Sequence, residues 1–182
     1  DAGNDIMVAA AAVATVQDGG TGDDTMISFS RALNVQDGGD GNDKMIAYAE
    51  IANVQNGGAG DDLMVANGIG NIQNGDAGND VMVGLGGQNF QFGGAGSDTI
   101  NGNGGDDIIE DLGDSGTDLA IVASSLDNIS KTEIDGNNAL VIFASTGISS
   151  YFGIEQFRVG STTYTQQQLI DAVAANVPPP AG

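Results

Sequence analysis

The chain has 182 residues, a formal net charge of −21, four basic residues, 30 glycines, and neither cysteine nor histidine. That balance excludes nucleic acid as a natural partner, because phosphate binding needs a basic footprint, and it disfavours anionic membrane surfaces. Without Cys or His there are no disulfides and no Ser-His or Cys-His catalysis, a zinc site is disfavoured, and no apolar run is long enough to span a bilayer.

The first predicted element begins at once. Aspartates recur at Asp5, Asp24, Asp43, Asp62, Asp80, Asp98 and Asp118, with gaps of 19, 19, 19, 18, 18 and 20 residues. Each closes a glycine-rich run such as GGTGDD or GGAGDD, and the chain opens inside one, at DAGND. The natural N-terminus is therefore expected further upstream, and no signal peptide is in view. A repeat of this length predicts a solenoid with one coil per repeat. Coils stack at strand spacing, ~4.8 Å, so the aspartates form a column. Ionised carboxylates that close need cations between them. The periodicity argues against general solubility or salt adaptation as the source of the acidity.

The full motif reads Gly-Gly-x-Gly-x-Asp-x-apolar-x. Two residues past each aspartate stand Met7, Met26, Met45, Met64, Met82 and then Ile100. Strand alternation sends them inward as a core ladder. Nine residues before each aspartate from Asp24 to Asp98 stand Thr15, Asn34, Asn53, Asn71 and Asn89, and eleven before Asp118 stands Asp107. The second flank has thus lost its acid except at Asp107, and an ion there is expected only between the Asn89 and Asp107 loops. Gln17, Gln36, Gln55, Gln73 and Gln91 fall in the inward slot of the second strand. Burying them is costly unless they bond along the stack. A local bulge is therefore predicted to turn Val16, Val35, Val54, Ile72 and Phe90 inward and leave outer ladders of Gln and Asn.

Past Asp118 the sequence becomes ordinary β type: LAIVASSL, ISKTEI, a turn at residues 135–138, ALVIFAS, then ISSYFGIEQFRV and a short strand at 162–164. Thr165 and Gln168 form a capping-box pattern that opens a helix over 166–175. Order should end at the prolines following Val177. The fold class is all-β: a right-handed parallel β-roll or solenoid with 18–19-residue coils over 1–118, then a β-rich cap with one short helix over 119–182.

The nonapeptides GGTGDDTMI (19–27) and GGAGDDLMV (57–65) closely resemble the RTX, or haemolysin-type, calcium-binding repeat, and the likeness covers residues 1–118. The resemblance implies a parallel β-roll in which the position-six aspartate bridges two calcium ions. It also implies carbonyl ligands from positions two and four of one turn and one and three of the next. Those donors map to Gly20, Gly22, Gly39, Gly41, Gly58, Gly60, Asp76, Gly78, Gly94 and Gly96, with Gly19 and Thr21 as examples of the other two positions. About six ions would load the main flank. Family members are bacterial, mostly exported unfolded by type I secretion, and fold on meeting extracellular calcium. The 19-residue coils and the vacant second flank depart from the pattern.

The expected function is a secreted, calcium-binding structural module of a cell-surface, adhesive or self-assembling extracellular protein, including an S-layer, with a neighbouring coil stacked head-to-tail on the first one. The alternative is the secretion and folding tail of a hydrolase or other enzyme. No enzymatic activity of the chain itself is expected. Ice binding would need a flat array of small hydroxylated residues, which AAAAVA, SFSRAL, AYAEIA and NGIG do not form.

Overall fold

A computed structural model describes residues 2–111, 116–123, 126–135 and 139–176. Each of the first three coils is a pair of strands: β1 (Ile6–Ala10) with β2 (Ala14–Thr21), β3 (Thr25–Ser30) with β4 (Leu33–Asp40), and β5 (Lys44–Ala49) with β6 (Ala52–Ala59). In the next two coils the pair runs on as one long strand, β7 (Leu63–Ala77) and β8 (Val81–Ala95). The last coil holds β9 (Thr99–Asn101) and β10 (Ile108–Glu110). All these strands pair in parallel, each residue with its equivalent one repeat later: Met7 with Met26, Met26 with Met45, and on to Met82 with Ile100. The chain is a parallel β-solenoid of about six turns.

Two sheets result, facing each other across a thin core. The methionine row lines one. Met26, Met45, Met64, Met82 and Ile100 are fully buried, and Met7 is partly buried at the first coil. Alternation in phase with the repeat puts a flexible thioether at the same place in successive coils, where it fills the gap left by its neighbour.

The second sheet corrects an expectation. Gln36, Gln55, Gln73 and Gln91 lie in the core with Gln17, and Asn34, Asn53, Asn71 and Asn89 are fully buried. Val16 is 76% exposed, and Ile72 and Phe90 also face solvent. No bulge reverses the strand. Within the stack the amides satisfy one another: each glutamine Nε2 from Gln91 to Gln36 donates to the Oε1 one coil earlier at 2.8 to 2.9 Å, leaving the two end atoms, Gln17 Nε2 and Gln91 Oε1, without partners. In a regular solenoid the next coil places a matching amide at hydrogen-bond distance, so the cost of burial is met without a register shift.

Both sheets continue into the C-terminal region. β11 (Leu119–Ala123) pairs in parallel with β9 and with β15 (Gln156–Val159), which β16 (Thr162–Thr165) joins antiparallel. On the other side β14 (Gly147–Phe152) pairs in parallel with β10, followed antiparallel by β13 (Leu140–Ala144) and β12 (Ile129–Ile134). Helix α1 (Gln166–Asn176) packs against β12, β15 and β16 and buries Leu169 and Val173. Its start is the expected capping box: Thr165 N–H donates to Gln168 Oε1 at 2.9 Å, and Gln168 N–H to Thr165 Oγ1 at 3.3 Å. The β12–β13 pairing forms the expected hairpin, whose turn residues 136–138 lie outside the described residues, as do 177–182. Among the described residues no helix is long and apolar enough to cross a membrane.

Candidate metal centre

The glycine-rich runs turn the chain from the second sheet of one coil into the first sheet of the next. Asp24, Asp43, Asp62, Asp80, Asp98 and Asp118 stand there in one column, each only 1–2% exposed, with Asp5 half-buried at its start. One oxygen of each has a fixed task. The backbone N–H of every aspartate donates to Oδ1 of the aspartate in the following coil at 2.6 to 2.9 Å, from Asp5 on Asp24 to Asp98 on Asp118. The other oxygen is different. Oδ2 of Asp24, Asp43, Asp62 and Asp80 is buried with no hydrogen-bond partner.

Burial pushes the carboxyls of Asp43, Asp62 and Asp80 up, an N–H donated from the preceding coil pulls them partly back, and neighbouring carboxylates push again. Asp62 is raised to about 7 and Asp80 to about 6, and Asp43 is raised as well. Asp118 is raised to about 6, by burial first. Without a counter-charge Asp62, Asp80 and Asp118 therefore bind protons near neutral pH.

The turns supply more oxygens. A Cβ at Gly38 would collide with Asp43 Oδ2 and the Gly57 carbonyl, and one at Gly57 with Asp62 Oδ2 and the Gly75 carbonyl. Carboxylate and carbonyl oxygens thus crowd one point, with no donor between them. Gly41 has φ 136° and lies against the Gly22 carbonyl, so only glycine fits there. Position-two and position-four carbonyls (Gly20, Gly22, Gly39, Gly41, Gly78) point at the next coil, where Gly39, Gly41, Gly58, Gly60 and Gly96 receive them; Asp76, φ 68°, does the same toward Gly94. The position-three carbonyls are taken: Gly22 N–H donates to Asp40 O, and Gly41 N–H to Ala59 O, both at 2.7 Å. The available donors are all hard oxygens, a set that suits calcium or magnesium.

Two other ladders in the same coils are joined by hydrogen bonds from coil to coil. On the far flank Thr15, Asn34, Asn53, Asn71 and Asn89 bond side chain to side chain at 2.6 to 2.9 Å. That ladder ends on Asp107, whose Oδ1 accepts the Asn89 N–H at 3.0 Å and Nδ2 at 2.8 Å, so the structure joins these two residues directly. On the outer surface of the aspartate turn runs a third column, Asn4, Asp23, Asn42, Asp61, Asn79 and Ser97. There each backbone N–H donates to the side chain of the preceding coil at 2.7 to 2.9 Å. Amide and acid alternate in it, so no two carboxylates are adjacent. Only the position-six column is carboxylate at every coil.

Two acids at its end escaped the sequence reading. Asp111 follows Glu110, which pairs with Phe92, so it occupies the slot of Gly93 and of the other position-one glycines. Its spacing of 18 from Gly93 was the available signal. Asp98, Asp111 and Asp118, all buried, offer carboxylate oxygens within 4.8 Å of one another, the one such group of three among the described residues. Glu155 extends the column by one member: Leu119 pairs with Gln156, and Asp118 N–H donates to Glu155 Oε2 at 3.0 Å. The intervening strands β12–β14 separate it from Asp118 by 37 residues, so no spacing rule could find it. No protein-family profile matches the chain, and no curated protein matches it.

Proposed function

We propose that the solenoid is a calcium-binding structural module of the RTX β-roll type, whose folded state depends on divalent cations. The observation that supports it most is the column of position-six aspartates with buried, unpartnered Oδ2 atoms, set beside amide ladders that do the same stacking work without charge. Hydrogen bonding alone would be served by asparagine at this position, as it is on the other flank. The groups that would hold the ions are Oδ2 of Asp24, Asp43, Asp62 and Asp80 with the glycine carbonyls that converge on them, and at the C-terminal end Asp98, Asp111 and Asp118. Bound calcium supplies positive charge between coils. About six ions would add about +12 against the −21 of the chain. Because an unfolded chain has no such site, binding energy becomes folding energy.

In this reading the chain is a non-catalytic part of a secreted or surface-exposed bacterial protein: unfolded where calcium is scarce, because stacked acids repel and glycine entropy is high, and rigid where it is plentiful. The test is far-UV circular dichroism of metal-stripped protein during a calcium titration, with magnesium in parallel. A cooperative gain of β signal and a rise of the thermal midpoint with calcium are expected. Full β signal in excess chelator, with a midpoint that calcium leaves unchanged, would overturn the reading.

A further inference from the structure

Five asparagines are followed directly by glycine: Asn56, Asn67, Asn74, Asn101 and Asn103. In such a pair the glycine nitrogen can close on the asparagine side chain, because no Cβ shields it and its backbone is unrestricted. The fold holds four of the five. Gly57, Gly68 and Gly75 lie inside β6 and β7, Gly102 follows β9, and all four glycines are buried. Asn74 Nδ2 also donates to Asn56 Oδ1 at 3.0 Å, and the Gly102 carbonyl accepts Asn89 Nδ2 at 2.8 Å. Asn103 differs on each count. It is exposed, it lies in the turn between β9 and β10, and Gly104 is only partly buried. Asn103, Gly104 and Gly105 follow one another at φ 54°, 84° and 117°, so this turn belongs to neither strand ladder.

We propose that Asn103 is a site of spontaneous deamidation in the folded protein, a covalent modification that needs only water. The Gly104 nitrogen gives its proton to hydroxide and attacks Cγ of Asn103. A C–N bond closes a five-membered succinimide, the bond from Cγ to the side-chain nitrogen breaks, and that nitrogen takes a proton and leaves as ammonia. Water then opens either ring carbonyl, giving aspartate or isoaspartate. One water is consumed and one ammonia released, with nothing oxidised or reduced. Ring closure requires Asn103 to leave its left-handed conformation, where its N–H donates to Asn101 Oδ1 at 2.9 Å. At Asn56, Asn67 and Asn74 the same motion requires a strand to open, which costs far more. The product sets a new carboxylate near Asp106, whose Oδ1 accepts the Ile148 N–H at 2.9 Å, so the charge appears where the last coil meets β14. Backbone placement alone selects the site, so the inference stands apart from the cation reading.

The test holds the protein at mildly alkaline pH in saturating calcium, with circular dichroism showing that it is folded, and in parallel in strong denaturant. Fragment-ion mass spectrometry locates each gain of about 1 Da. In the folded sample, conversion at Asn103 is expected to run at least about tenfold ahead of the other four, whereas in denaturant the five should agree within about threefold. Asn103→Gly, which suits the positive φ, should abolish both the early gain and the isoaspartate that accompanies it. Folded protein in which Asn103 stays an amide, five sites that convert together in it, an equal lead of Asn103 in denaturant, or an early gain that persists in Asn103→Gly would each overturn the proposal.

Discussion

A buried carboxylate and a buried amide have nearly the same shape, and the coils use both. Asp62 Oδ1 accepts the Asp43 N–H, a task an amide oxygen performs equally well. What an amide lacks is the charge on the second oxygen. Asp62→Asn keeps the acceptor and puts Nδ2 beside the Gly75 carbonyl, where Oδ2 now lies. Two opposite effects are expected from thermal melts at pH 7.5. In chelator the variant should melt higher than the parent, because a desolvated group crowded by Asp80 and Asp43 has been removed. In calcium its gain in midpoint should be smaller. A variant that loses stability equally in both conditions would contradict the assignment. The position of this aspartate was legible in the period of the repeat. The unpartnered oxygen was not, since it depends on where the turn places two carbonyls.

The ladders belong to the scale of the strand. Gln55 donates to Gln36 and accepts from Gln73, so Gln55→Leu leaves a buried carbonyl and a buried amide donor without partners. A loss of roughly 2–4 kcal/mol is expected from the usual cost of each orphaned group. Met64→Leu, in the apolar row of the same coil, should cost under about 1.5 kcal/mol. Denaturant unfolding in calcium measures both, and equal costs would show that the glutamine ladder contributes little. The methionine row was legible because apolar alternation has one reading. The glutamine row was misread because the cost of an isolated buried amide was weighed within one coil, whereas its partner lies in the next.

For the whole molecule the column sets a dependence on pH. The folded pKa of Asp62, Asp80 and Asp118 lies at about 6 to 7, above the ordinary 3.8, so the metal-free fold holds protons more tightly than the unfolded chain. That contribution is complete below about pH 4 and is lost as pH rises through about 6 to 7. Metal-stripped protein should therefore melt progressively lower between pH 4 and pH 8, and saturating calcium should remove most of the slope. A metal-free midpoint that rises with pH would reverse the sign and discard the argument.

The amino-acid sequence by itself determined the coil length, the parallel stacking, the methionine core and the aspartate column, because a period of 18 to 19 residues repeats the same local geometry at each turn. Only the tertiary structure decided that the amides go inward and that Asp111 and Glu155 join the end of the column. Each of these depends on which residue faces which across coils, and such contacts carry no mark in a single repeat.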